Sequence, residues 1–223
     1  MTAIKIDPRT VPVVQVDSHL PAVEQQRLRP DALRSRFATP PVWSPEFSIE
    51  KKFMEREPMA AAVLLPIVLR PEPTVLLTLR TPHLSTHSGQ IAFPGGKVDE
   101  TDAGAVAAAL REAQEEIGLG AQFVEVLGQL PIYVTGSAFH VTPVVALISP
   151  DVVLTPNPFE VADVFEVPLA YLMNPAHHRH HQTMWQGVQR EWLSMPYQDA
   201  TTERYIWGAT ASMLRNFYRF LRA

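Results

Sequence analysis

The stretch from Gly95 to Leu119, GGKVDETDAGAVAAALREAQEEIGL, joins a paired-glycine loop with a run of acids to an amphipathic helix ending in clustered carboxylates. At about 100° per residue, Glu112, Glu115 and Glu116 share one arc, because spacings of three and four lie on one face. Val106, Ala109, Leu110, Ala113 and Ile117 gather on another, giving the helix an apolar side to dock and a charged side to use. Three glutamates on one face repel each other, more so near a helix C-terminus. A divalent cation among them would offset that repulsion. Mg²⁺ prefers hard oxygen ligands, keeps several waters and commonly bridges carboxylates to substrate phosphates. Arg111 can hold a neighbouring carboxylate by a forked hydrogen bond, and Gly118 fits the position just past a helix end. A solvated charged face is the plainer reading of the glutamates alone; the glycines and the arginine weigh against it.

Working outward, 223 residues suit one ample domain, or one domain with an extension, and are enough to bury a proper core. A net charge of −4 argues against a general nucleic-acid binder, and the lack of cysteine excludes disulfides, zinc-thiolate sites and thiol catalysis. The N-terminus has neither an apolar core region nor a small-residue cleavage site. The longest apolar run, Met59 to Leu69, falls well short of the ~20 residues of a membrane span and contains Pro66. The expectation is a cytoplasmic protein with no membrane partner.

Residues 1–57 are proline-rich and without sustained period, apart from a short helix expected over Asp31–Phe37 after Pro30. They read as an extension that wraps the domain or contributes to a homodimer contact; a plain linker is the equal alternative. Residues 58–223 carry the regular structure. Ala60–Leu69 and Thr74–Arg80 read as strands with a tight connection, followed by a short strand over Gly89–Phe93 and the helix from about Ala103 to Ile117. Further strands are expected over Phe123–Leu130, Phe139–Ile148 and Glu160–Val167. The second of these is a nearly continuous apolar run suited to the middle of a sheet. The connection Pro131–Ala138 is expected near the mouth of the site. After one helical turn at Pro168–Met173 come a late strand pair, Glu191–Met195 and Arg204–Ile206, and an amphipathic helix, Ala209–Leu221. His177, His178, His180 and His181 lack helical metal-site spacing and read as a solvated loop.

The opening stretch resembles the Nudix box, G-x5-E-x7-R-E-U-x-E-E-x-G-U with U aliphatic. Arg111, Glu112, Ala113, Gln114, Glu115, Glu116, Ile117, Gly118 and Leu119 align with its second half. The first half departs: counting from Gly96, the acid is Asp102 rather than a glutamate, and one extra residue precedes Arg111. The lead-in LLTLRTPHLSTHSGQIAFPGGK, Leu76 to Lys97, resembles the upstream signature of coenzyme A pyrophosphatases, L-L-T-x-R-(S/A)-x3-R-x3-G-x3-F-P-G-G-(K/R). Leu76, Leu77, Thr78, Arg80, Gly89, Phe93, Pro94, Gly95, Gly96 and Lys97 match; Thr81 replaces the small residue and Ser85 the second arginine. A serine cannot supply that bidentate charge, whereas the longer box also occurs in this subfamily.

The resemblance implies an α/β fold, a Nudix-like α/β/α sandwich around a mixed β-sheet. It also implies Mg²⁺-dependent hydrolysis of the diphosphate of coenzyme A or acyl-CoA, with Mn²⁺ as a substitute ion. The implied metal ligands are Glu112, Glu115, Glu116 and the Gly96 carbonyl. The implied substrate contacts are Arg80, Lys97 and the close-approach residue Gly95, with strand-end pairing to an acid as the alternative for Arg80. Arg111 joins the catalytic set, and the base is Glu115, Glu116 or Glu160, the last being otherwise a solvent-facing strand residue. His83 and His87 flank the signature. Two other readings stay open: a Nudix hydrolase of another nucleoside diphosphate derivative such as ADP-ribose or NADH, and a non-catalytic nucleotide sensor.

Overall fold

A computed structural model describes residues 7–52, 56–84, 88–185, 187–200 and 202–223. In chain order its elements are β1 (Val13–Val16), α1 (Pro30–Ala38), β2 (Met59–Val68), β3 (Thr74–Arg80), β4 (Ile91–Ala92), β5 (Gly95–Lys97) and α2 (Ala105–Ile117). There follow β6 (Val124–Gln129), β7 (Tyr133–Val134), β8 (Phe139–Ile148), β9 (Val161–Pro168), α3 (Leu169–Leu172), β10 (Arg179–Trp185), β11 (Val188–Asp199), β12 (Thr202–Trp207) and α4 (Gly208–Arg222).

The two most continuous apolar runs, β2 and β8, lie side by side in parallel, from Met59 opposite Phe139 to Val68 opposite Ile148. Strands buried on both faces require such composition. Antiparallel strands flank them in the order β4-β3-β2-β8-β6, with β9 on β3, β7 on β8 and β5 on β2. The sheet is therefore mixed. Period two sorts its side chains: Ala62, Leu64 and Val68 of β2, with Val144, Ala146 and Ile148 of β8, meet Ala108, Ala109, Ala113 and Ile117 of α2. Ala61, Leu65 and Ile67, with Val145 and Leu147, face the other way, onto Leu214, Phe217 and Leu221 of α4. The sandwich is α2, sheet, α4.

β2 and β3 pair only near their connection, Ile67 with Val75 and Val68 with Thr74. Beyond that they diverge, and the glycine pair enters the gap: Gly95, Gly96 and Lys97 pair with Val63, Ala62 and Ala61. The pair was expected to turn; it forms a strand instead. Glycine is needed there for close approach, since a Cβ on Gly95, at φ +155°, would overlap the Ala62 carbonyl.

The late strand pair belongs to a second antiparallel sheet, β1-β10-β11-β12. Its β10 contains His180 and His181, and His177 and His178 lie just before it, so the reading of the four as a solvated loop is corrected. His178 and His181 are buried. His178 Nε2 faces the Leu172 carbonyl at 2.8 Å while Arg215 Nη1 of α4 faces Nδ1 at 3.0 Å, which fixes a neutral ring with its proton on Nε2. His181 bridges the Val11 carbonyl and Ser194 Oγ, and His180 meets Asp17. Arg215 also pairs with Asp17 and Glu46. Asp17, Val11 and Arg215 are far away in sequence from the histidines they meet, so no local spacing could reveal them.

The N-terminal residues wrap this assembly. β1 pairs with β10, Leu33 of α1 is fully buried, and Phe37 and Trp43 pack on Phe220. Asn216 Oδ1 accepts the N–H groups of Glu46 and Phe47. Glu50 accepts from Tyr133 and from the Gly136 N–H, so the connection 131–138, expected at the mouth of the site, is anchored on the N-terminal segment. Among the described residues no helix is long and apolar enough to cross a membrane.

Candidate active site

α2 presents its glutamates at three depths rather than on one charged face, which corrects the helical-wheel expectation. Glu116 is 2% exposed, within the buried stripe beside Ala113 and Ile117. The Glu112 side chain is 17% exposed and that of Glu115 is 56% exposed. β5 runs beside these carboxylates, and a Cβ on Gly96 would overlap that of Glu112. The Gly95 N–H donates to Glu116 Oε2 at 3.1 Å, and Arg80 Nη1 lies 3.2 Å from Oε1. Burial drives the Glu116 carboxyl up to about 7, helped by the charges of Glu112 and Glu160 and opposed by the Gly95 N–H and Arg80. Glu112 is raised as well, chiefly by burial, against the pull of Arg111.

Arg111 is saturated. Nε and Nη2 fork onto Asp102 at 3.1 and 3.0 Å, Nη2 also donates to the Lys97 carbonyl, and Nη1 donates to Glu112 and Glu115 at 3.1 and 3.0 Å. Every N–H of the guanidinium is thereby spent on this chain's own oxygens. Its place in the site is to position carboxylates. Asp102, the acid at the irregular point of the box, is the anchor of that arrangement, and the bond from Arg111 holds its carboxyl below the usual carboxylate range. Sequence reasoning flagged its spacing but missed this partner.

The C-terminal end of α2 is fixed by the loop that carries Glu160. Gly118 adopts φ +69° and caps the helix, donating to the Gln114 carbonyl. The exposed carbonyls of the last turn are met from outside, by Thr155 N–H on Ile117 and Asn157 N–H on Glu116. Asn157 Nδ2 then donates to Glu160 Oε1 at 3.2 Å, and Thr81 N–H to the Glu160 carbonyl at 3.0 Å. Glu160, a candidate base or a solvent-facing strand residue by sequence, is close enough for its charge to act on both Glu112 and Glu116. Asn157 was not singled out by sequence; its signal was the turn-forming Pro-Asn-Pro at 156–158.

Of the expected substrate contacts, Arg80 is paired with Glu116, and its Nε is buried with no hydrogen-bond partner among the described residues. The Lys97 side chain is exposed at the edge of β5. His83 Nε2 sits 3.4 Å from Thr81 Oγ1. Ser85 and His87 lie outside the described residues. Among those residues no three His, Asp or Glu side chains are already drawn to ligating distance. The donor set still fits a hard cation: the carboxylates of Glu112 and Glu116, the more exposed Glu115 on the same helix, and the Gly96 backbone beside Glu112. An ion that retains several waters needs few protein oxygens.

The chain was compared with known proteins. The NUDIX domain family model matches residues 58–192. A protein of Shigella flexneri serotype 5b (strain 8401), named "Uncharacterized Nudix hydrolase NudL", is 43% identical over 173 residues, which span 76% of this chain and 88% of that protein. Its namesake in Escherichia coli (strain K12) is 46% identical over 156 residues, spanning 70% and 79%. Among solved structures, the Nudix hydrolase RenU of M. smegmatis is 25% identical and covers 56% of this chain and 81% of its own, with a TM-score of 0.46.

Proposed function

The chain belongs to the Nudix domain family and is a hydrolase of diphosphate bonds, and from that premise we propose that it cleaves the diphosphate of coenzyme A or acyl-CoA. The products would be 4′-phosphopantetheine, or its acyl form, and adenosine 3′,5′-bisphosphate. One observation supports this reading above the others. The residues that match the coenzyme A pyrophosphatase signature fold directly onto the carboxylates: Gly95 donates to Glu116, and Arg80 pairs with it.

Nudix hydrolases use divalent metal ions. The ion proposed here is Mg²⁺, with Mn²⁺ as a substitute, held by Glu112, Glu116 and the Gly96 carbonyl with Glu115 at the rim. When bound, such an ion neutralises diphosphate charge and lowers the pKa of water. The chain's residues do the rest. Arg111 holds Glu112 and Glu115 in place, Gly95 and Gly96 let a phosphate approach the backbone, and Arg80 and Lys97 offer positive charge to the substrate. Water attack on phosphorus needs a proton acceptor, and Glu116 and Glu160 are the candidates. Without an ion Glu116 reaches about 7, and a cation bound to it would favour its charged form.

Ser85, in place of the signature's second arginine, favours a second reading, hydrolysis of ADP-ribose or NADH. The test is turnover by the purified protein with Mg²⁺ of coenzyme A, ADP-ribose and NADH, with the phosphate products identified. Coenzyme A is expected to be hydrolysed fastest. ADP-ribose turnover far above coenzyme A would overturn the first reading, and no turnover of any would favour a nucleotide-binding role without catalysis.

A further inference from the structure

Phe159 occupies an unusual position at the rim of the site. Its side chain is 74% exposed. Single exposed apolar residues are ordinary on a protein surface, so exposure alone says nothing. The backbone that carries this ring is what sets it apart. The Phe159 N–H donates to Asn157 Oδ1 at 3.1 Å, and its carbonyl accepts from Thr81 Oγ1 at 2.9 Å. Asn157 in turn donates to the Glu116 carbonyl at 2.8 Å, and Thr81 N–H to the Glu160 carbonyl at 3.0 Å. The backbone that bears the ring is therefore held between the helix end that carries Glu116 and the strand end that carries Arg80. Its neighbour Glu160 acts electrostatically on Glu112 and Glu116.

We propose that Phe159 is the stacking platform for the base of the nucleoside diphosphate whose phosphates lie over Glu112 and Glu116. The inference rests on the diphosphatase reading for where the phosphates lie, and is independent of which group completes the substrate. A phenyl ring with a fixed backbone loses little conformational freedom on binding, and an aromatic face stacks on any base. Among the described residues bonded to this rim, Arg80 and Glu160 are charged, Thr81 and Asn157 are short, and His83, 3.4 Å from Thr81 Oγ1, carries a smaller and more polar ring. Phosphate recognition falls to them and to the glycine backbone, and base recognition to the ring.

The experiment measures equilibrium binding of AMP, and of ribose 5-phosphate as the base-free control, to the wild type, Phe159→Ala and Phe159→Trp by calorimetry. In parallel, kcat and KM are determined for whichever adenine diphosphate the wild type turns over. Phe159→Ala is expected to weaken AMP about tenfold, within the range set by stacking, while Phe159→Trp retains it and ribose 5-phosphate binds all three alike. The loss falls on KM rather than on kcat. AMP affinity within twofold of wild type in Phe159→Ala overturns the proposal. So does an equal loss for ribose 5-phosphate, a fall in kcat with KM unchanged, or no binding of AMP to the wild type at millimolar concentration. If the wild type binds AMP but turns over no adenine diphosphate, the stacking is still decided by the AMP series, and it is the diphosphatase reading that falls.

Discussion

Replacing Glu116 by glutamine is expected to make the metal-free protein more stable and the enzyme nearly inactive. The ordinary glutamate value of 4.5 and the value of about 7 reached by Glu116 are far enough apart to place about 3 kcal/mol against its charged form once pH exceeds 7. The glutamine keeps an acceptor for the Gly95 N–H, loses the charge and leaves Arg80 without its carboxylate. The net expectation is a gain of about 2–3 kcal/mol, or roughly 4–10 °C in melting temperature for a chain of this size. A group whose folded pKa is raised exacts its penalty above that pKa and releases it as pH falls toward the unfolded value. The gap between variant and wild type should therefore be widest near pH 8 and shrink below about 1 kcal/mol by pH 5. The assay is thermal unfolding followed by circular dichroism in chelator at the two pH values, repeated with Mg²⁺. The ion should stabilise the wild type more than the variant by mass action, while turnover drops on the order of 10²-fold or more. A variant that melts at or below wild type at pH 8 in chelator would refute the burial argument. A wild-type rate would show the glutamates to be only a charged surface.

Three further outcomes follow from the same geometry. Asp102→Asn removes the charge that receives the Arg111 fork and should lower Mg²⁺ affinity or kcat about 10–100-fold, as loss of a supporting partner does; titration of Mg²⁺ dependence checks it, and an unchanged profile would mean that Arg111 holds its place without Asp102. Gly96→Ala puts a Cβ into the Glu112 carboxylate and should cost on the order of 10²-fold in kcat, with an unaltered far-UV spectrum. His178 is pushed down to about 4 by burial, with Arg215 against its free nitrogen, so the unfolded chain binds the proton first as pH falls. Wild type should then lose about 3 kcal/mol relative to His178→Gln between pH 7 and pH 4, read from urea unfolding at each pH; parallel curves for the two proteins would exclude it.

The sequence made α2, β2 and β8 legible because their apolar residues repeat at the period of the element that buries them. The position of Glu116 was not legible in the same way. On a helical wheel it belongs with Glu112 and Glu115, and only the underlying strand decides which glutamate is buried. Gly95 offers its N–H to Glu116 Oε2, and the bare Cα of Gly96 leaves the room that the Glu112 carboxylate takes. The second sheet was hidden for another reason. β10, RHHQTMW, buries a histidine where a strand pattern asks for an aliphatic residue, and that histidine is satisfied by Val11 and Ser194. Burial of a polar ring is set by its partners, and these partners lie in other parts of the chain.

The two arginines of the site show how far residue identity falls short of role. Both matched family positions, and both are cations beside carboxylates. Arg111 is spent: each of its N–H groups already has an oxygen from this chain, so a substrate phosphate could reach it only by breaking one of those bonds. Arg80 Nη1 lies 3.2 Å from Glu116, and its buried Nε has no hydrogen-bond partner among the described residues. An unsatisfied buried donor is costly, and an incoming anion relieves that cost where a solvated one would not. Arg111 braces the carboxylates of α2, and on the proposed function Arg80 is the cation with a donor left for the substrate, a division that the spacing of the two arginines along the chain could not have shown.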